Sequence, residues 1–290
     1  MKQPFEFRGC SLIYFDTNAY IELLKHPDSW RAVRKFMFDN ELLLSISDVN
    51  ILELSHSVDV HPDLARLMLY MPSVLLKPYS NLMEEEVNAY LSDRAPDPVF
   101  CAVPPLVLEV ENPIEMLRQL LFENKGIRRK RTEMINLKDK FVRRIQNTHD
   151  NFSPQDGSRF SVEDASHYAR LLILSQILET DWPGCAQAVE KELKKGIDTI
   201  GVLKQLNGIF LYSLVQYCRY YLCNREPDGN DYGDIWQTLS IPYCQYAIVE
   251  KDLHDELNQL KRYGVVLSNT EIRTIKFLRE LAGISAEAVW

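Results

Sequence analysis

Four apolar or aromatic residues, Leu12-Ile13-Tyr14-Phe15, run straight into Asp16-Thr17-Asn18. An apolar run of this length, rich in Ile, Tyr and Phe, reads as a buried strand. Residues Ala19 to Leu24 have a helical pattern, so the segment is a β-α unit. Asp16 then stands at the carboxyl end of a strand, where open parallel sheets place their ligands. A carboxylate in that position is costly unless something pairs with it. Two partners fit: the helix N-terminus that Asp16 itself would cap, or a metal ion.

The rest of the chain repeats the unit and then departs from it. Trp30 to Asp39 reads as a helix, Glu41 to Ser47 as a second buried strand, and Val49 to Val58 as a helix capped by Ser47 or Asp48. Val74 to Lys77 fits a third strand and Asn81 to Leu91 another helix. Asp93 to Pro98 is a turn or linker signal. Phe100 to Val110 is apolar but broken by Pro104-Pro105, a short extended piece at best. From there to about residue 198 the pattern is helical: Ile114 to Glu123, the basic run beyond it, Val162 to Glu179 and Cys185 to Lys195, with a polar loop at Asp150 to Ser161. Thr199 to Cys223 reads as a long helix with a wide apolar face. The β-α alternation returns with a helix at Asp234 to Ile241, a strand at Tyr246 to Val249, a helix at Leu253 to Lys261, a last strand at Gly264 to Ser268 and a last helix at Glu271 to Leu281. Residues 1–92 and 200–290 therefore form one discontinuous α/β core around a parallel sheet, with 93–199 inserted as a mostly helical segment.

Composition narrows the function. With 290 residues there is ample core, and 46% hydrophobic with 26% charged residues is ordinary for a soluble globular protein. Glycine is scarce, at 11, and neither a Walker-type nor a Rossmann-type glycine loop is present. No apolar stretch is long enough to span a membrane, and the first eight residues lack the apolar centre of a signal peptide. The six cysteines form no C-x-x-C pair and read as thiols in a reducing, cytoplasmic setting. Net charge is −8, yet Lys125 to Arg144 carries a local +7, leaving −15 on the remainder.

Asp252 has a setting like that of Asp16: it follows the apolar strand Tyr246-Ala247-Ile248-Val249 through Glu250-Lys251. If the two strands are parallel neighbours, both carboxylates meet at one sheet edge. Asp234 lies 18 residues before Asp252 at the start of a helix, and Asp231 shares its face if that helix begins early. Glu53 sits on the helix after the second strand. Clustered acids raise one another's pKa unless a divalent cation neutralises them. Oxygen ligands with no His or Cys nearby suit Mg²⁺ or Mn²⁺ over Zn²⁺.

This set resembles the PIN-domain ribonucleases, whose smallest members are the VapC-type toxins. Asp16-Thr17-Asn18 matches the Asp-Thr-Asn that ends a strand in that family. Ser47, Asn50, Glu53 and Leu54 match its second motif, with Asn in place of the commoner Thr, and Asp234 and Asp252 match its third and fourth acids. The family's Thr two residues before the last acid is Glu250 here, either an additional ligand or a side chain that points away. The resemblance covers about residues 10–92 and 200–281. It implies a three-layer α/β/α fold with acids converging on one or two Mg²⁺ or Mn²⁺ ions, and hydrolysis of RNA phosphodiester bonds by an activated water. It assigns Asp16, Glu53, Asp234 and Asp252 as ligands, Asp231 as a secondary one, and Asn18 and Ser47 as groups that orient them or touch phosphate. A toxin or defence role, and with it an inhibitory protein partner, follows only by analogy.

The basic run supplies candidate phosphate contacts in Arg128, Arg129, Lys130, Arg131, Arg143 and Arg144. It equally suits a solvated helix face, a gate or a self-association surface that would make a homo-oligomer. The six histidines have no metal-ligand spacing. Tyr212, Tyr217, Tyr220 and Tyr221 fit a core or interface better than base stacking, and Ser47 lacks a helpful His for nucleophilic chemistry. Two competing readings stay open: a non-catalytic PIN-like binding or scaffold module, favoured by Glu250 and the global acidity, and a nuclease acting on DNA.

Overall fold

The computed structural model describes residues 6–103, 110–151, 160–178, 205–223, 225–264 and 266–283. Its centre is a seven-stranded sheet: β1 (Glu6–Phe7), β2 (Cys10–Phe15), β3 (Leu42–Ile46), β4 (Ser73–Leu76), β5 (Val99–Ala102), β6 (Tyr246–Val249) and β7 (Glu271–Thr274). The order is β5-β4-β3-β2-β6-β7, with β1 laid antiparallel on β2. Strands β4, β3, β2, β6 and β7 run parallel, and β5 closes the edge antiparallel to β4. The chain leaves β2 toward β3 and β4, then returns on the other side of β2 as β6 and β7. The order thus reverses between β2 and β6, and the crevice at the carboxyl ends of these two strands is where such sheets bind ligands.

Among the described residues twelve helices cover the sheet: α1 (Thr17–Lys25), α2 (Trp30–Asp39), α3 (Asp48–Leu54), α4 (His61–Tyr70), α5 (Tyr79–Leu91), α6 (Pro113–Leu121), α7 (Lys125–Asn151), α8 (Val162–Leu178), α9 (Asn207–Tyr217), α10 (Asp231–Gln237), α11 (Lys251–Arg262) and α12 (Lys276–Leu281). Successive residues of a strand point to opposite faces. Ile13 and Phe15 accordingly pack with α1, α2, α4 and α6, while Leu12 and Tyr14 pack with α5, α7, α9 and α10. The outcome is an α/β fold with a mostly parallel sheet between two helical layers. Among the described residues no helix is long and apolar enough to cross a membrane.

The middle of the chain is laid onto this frame. Met134, Phe141 and Ile145 of α7 and Tyr168 of α8 share one apolar cluster with Leu12, Tyr14 and Val249. Leu117 and Leu121 of α6 join the opposite cluster, and β5 extends the sheet itself. The long helix expected from Thr199 is described from Leu206 onward; it runs through α9 and ends in a π-turn at Cys218–Leu222. The expected helix Cys185 to Lys195, residues 104–109 and most of the Asp150 to Ser161 loop lie outside the described residues.

The last strand differs from expectation. Within Gly264 to Ser268, Gly264 has φ +69° and Leu267 φ +61°, left-handed conformations that a strand does not contain. The edge strand is Glu271–Thr274, in which only Ile272 is buried. That exposed edge leaves one apolar side chain as a signal, whereas Val266-Leu267 is apolar but belongs to the connection. The last helix shortens to Lys276–Leu281 for the same reason.

Candidate metal centre

Asp16 stays in the sheet through its N–H, which donates to the Ile248 carbonyl at 3.0 Å. It also caps α1, Oδ1 accepting from the Ala19 N–H at 2.7 Å. The second oxygen crosses to the neighbouring strand and accepts from the Glu250 N–H at 2.6 Å. The carboxyl is buried, 4% exposed. Burial pushes its pKa up to about 7; the two N–H bonds oppose this, and the charges of Glu250 and Asp234 add to it.

Glu250 is the residue at the carboxyl end of β6 and the N-cap position of α11, yet its side chain makes no cap bond. Its carboxylate instead accepts from the Asn18 side-chain amide. Asn18 therefore orients an acid. That acid is not Asp252, which lies exposed in the first turn of α11. Asp252 lines a groove with Glu250, Lys251, Thr274 and Lys276, and its charge repels Glu250.

Glu53 is placed by the start of α3. Ser47 and Asn50 form a reciprocal capping box, with the Asn50 N–H to Ser47 Oγ and the Ser47 N–H to Asn50 Oδ1 both at 3.1 Å. The Asn50 amide also donates to Tyr14 Oη and the Phe15 carbonyl, at 3.2 Å each, pinning α3 to β2. Ser47 is thus a buried cap, and it touches no acid of the cluster. One turn on, Glu53 accepts from the Thr17 hydroxyl and from Gln237 Nε2 at 3.1 Å. Its carboxylate rests on Gly233, where a Cβ would overlap Oε1. Burial raises the Glu53 pKa, and Asp234 adds to the shift.

Helix α10 does begin at Asp231, but its two acids part ways. Asp231 is 1% exposed. It accepts from Arg219 Nη1 at 3.3 Å, Arg225 Nη2 at 2.5 Å, Tyr220 Oη at 3.1 Å and the Asp228 N–H at 3.3 Å. That is a structural anchor with its acceptor sites filled. Asp234 leaves about half its side chain in solvent and lies 3.6 Å from Arg219 Nη1. Burial raises its pKa, Arg219 lowers it and Asp231 raises it. Arg219, presented by the π-turn and held also by Glu256 at 2.9 Å, is the cation of the site.

Four carboxylates, Asp16, Glu53, Asp234 and Glu250, therefore come from four elements to the point where the strand order reverses. Asp234 repels each of the other three. As placed, each is held by a protein partner, and among the described residues no three groups already converge as a ligand set. Comparison of the chain with family models, curated proteins and solved structures finds no match.

The basic run does not form one exposed stripe. Lys130 lies 3.6 Å from Asp48 and over the Tyr79 ring. Arg131 donates to the Ser55 carbonyl at 2.7 Å. Arg129 pairs with Glu133 at 2.9 Å, and Arg128 lies 3.7 Å from Glu123. Arg143 is exposed, and Arg144 is half-buried with its charge felt by buried Tyr212. Tyr212, Tyr217 and Tyr220 are core residues. The run's cation nearest the cluster is Lys138, which acts on Glu53. Sequence reasoning passed over Lys138, Arg219 and Gly233. Glu250 carried a legible signal, since it follows its strand as directly as Asp16 follows β2.

Proposed function

We propose that this chain is a PIN-like, Mg²⁺- or Mn²⁺-dependent endoribonuclease. The observation that carries the reading is that Asp16, Glu53, Asp234 and Glu250 lie at the β2–β6 reversal within reach of one another's charge, Asp234 repelling the other three, with each carboxyl pKa raised. A fold gains nothing from like charges gathered this way. A divalent cation bound there would offset the repulsion, and a set of oxygen donors without imidazole or thiolate suits Mg²⁺ or Mn²⁺.

A carboxylate has two oxygens and about four acceptor sites, so the hydrogen bonds that orient these acids leave lone pairs for an ion. The ligands would be Asp16, Glu53, Asp234 and Glu250. Such an ion supplies Lewis-acid stabilisation of charge at phosphorus and lowers the pKa of water. The protein's part is positioning. Two N–H groups fix Asp16, Asn18 holds Glu250, Thr17 and Gln237 hold Glu53, and Arg219 balances Asp234. These partners surround the acids as outer-shell groups do at metal sites.

A second reading is a non-catalytic nucleic-acid-binding module, favoured by the protein partner that each acid already has. Incubation of labelled single-stranded RNA and DNA with EDTA, Mg²⁺ or Mn²⁺ separates the readings. Metal-dependent cleavage of RNA, lost in Asp16→Asn, is the expected result. Cleavage of DNA alone would change the substrate class. RNA binding without cleavage under any metal would support the second reading.

A further inference from the structure

The inserted helix α7 builds a pocket beside the acid cluster. The pocket measures about 220 Å³ and opens between α3, α7 and α10. Val49 and Leu52 line it from the core, Met134 from the insertion, and Tyr232 from α10. His56 and Lys138 stand at its polar edge. Glu53 and Gly233 also line it, so it reaches one acid of the cluster. Ligand pockets for drug-sized molecules run from about 300 Å³ upward; this one suits a single ring system.

Lys138 differs from its basic neighbours. Lys130 and Arg131 fasten α7 to α3 through Asp48 and the Ser55 carbonyl. Among the described residues Lys138 makes no ion pair, and its ammonium touches only the neutral Asn230 side chain, at 3.2 Å. Its stem passes over Gly229, where a Cβ would stand 3.2 Å from Lys138 Cβ. A half-buried lysine beside Glu53, with no acid among the described residues bound to it, is placed to meet an anion that the carboxylates alone would repel.

We propose that this pocket is a nucleotide subsite, in which the apolar walls take the base next to the scissile bond and Lys138 takes that nucleotide's phosphate. Apolar walls that include the Tyr232 ring, with a polar edge, match the face and edge of a base, and an ammonium serves a phosphate as a point charge. The insertion thereby completes the substrate site, through a residue outside the Arg-rich part of its sequence. The inference rests on the nuclease reading for the meaning of "scissile".

The test compares cleavage of one RNA with cleavage of copies carrying a single abasic residue at each position around the cut. It uses wild type, Met134→Phe to fill the pocket, and Lys138→Ala and Lys138→Arg to alter its edge, with melting curves as the fold control. In the wild type one abasic position beside the cut is expected to raise KM by roughly five- to a hundred-fold, the size of one base contact. Met134→Phe should treat the intact and abasic RNAs alike. Lys138→Ala should raise KM with kcat nearly kept, and Lys138→Arg should restore most of the loss. Cleavage by the wild type with no sensitive position, or discrimination unchanged in Met134→Phe, would overturn the subsite while leaving the nuclease. If the wild type cleaves no RNA the nuclease reading fails, and the pocket is decided by fluorescence anisotropy of labelled RNA in EDTA. Binding weakened equally by Lys138→Ala and Met134→Phe would retain it, and equal binding by all variants, or none, would remove it.

Discussion

At the level of single residues, Glu250 and Asp252 carry opposite expectations. Glu250 is oriented by Asn18 and donates its own N–H to Asp16, whereas Asp252 is exposed on the next turn. Glu250→Gln should reduce activity by two or more orders of magnitude, while Asp252→Asn should stay within a fewfold of wild type; kcat/KM on one RNA decides it. Gly233→Ala makes a sharper case. An alanine suits a helix better than glycine, by up to about 1 kcal/mol, and the atom it would meet is the movable end of Glu53. The variant should melt at or above the wild-type temperature yet lose Mn²⁺ affinity. A fall in melting temperature with Mn²⁺ affinity kept would show that Glu53 does not depend on that contact. Asp16 was readable because a strand ended on it. Glu250 met the same rule but stood only as an additional ligand or a side chain pointing away, because the spacing from Asp234 favoured Asp252. Gly233 left no sequence mark, because its role is the space that another helix fills.

Among the elements, α7 shows what a charge pattern hides. Its sequence displays a run of cations, but it also packs through apolar residues: Met134, Phe141 and Ile145 enter the core shared with β2 and β6. Phe141 meets Tyr232 edge-on at 5.7 Å, beside the Asp231 anchor. Phe141→Ala should cost about 3 kcal/mol and leave a single unfolding transition in denaturant. Two separated transitions would mean that the insertion folds as its own unit. The strands β2, β3, β4 and β6 were legible because they are short, apolar and buried on both faces. β7 was not, since an edge strand with one buried side chain has almost no apolar pattern, while the connection before it does.

For the molecule as a whole, buried acids set the response to pH. Burial raises Asp16, from an ordinary 3.8, to about 7. Burial also raises Glu86, from 4.5, to about 7; Glu86 receives the Gly208 and Ile209 N–H groups at the start of α9 and the Tyr243 hydroxyl. Both folded pKa values lie above the unfolded ones, so the folded state holds protons that the unfolded chain releases. Their contribution is complete below about pH 4 and declines as pH rises toward and through 7. Without metal, the melting temperature of the protein should therefore fall between about pH 5 and 8, unless other groups offset it. Glu86→Gln should flatten part of that slope. Saturating Mn²⁺ should remove the Asp16 part, because an ion binds the deprotonated carboxylate. A metal-free profile that rises over this range, with Mn²⁺ making no difference, would contradict both assignments. The α/β frame was visible in the alternation of elements. What lies between α3, α7 and α10 was not, because it depends on how three distant segments pack.

The most direct test of the central claim is calorimetric titration of Mn²⁺ into the metal-free protein at neutral pH. The account predicts saturable binding with proton release, lost in Asp16→Asn and Glu250→Gln and kept in Asp252→Asn. Absence of binding in the wild type, or binding that only Asp252→Asn abolishes, would contradict it.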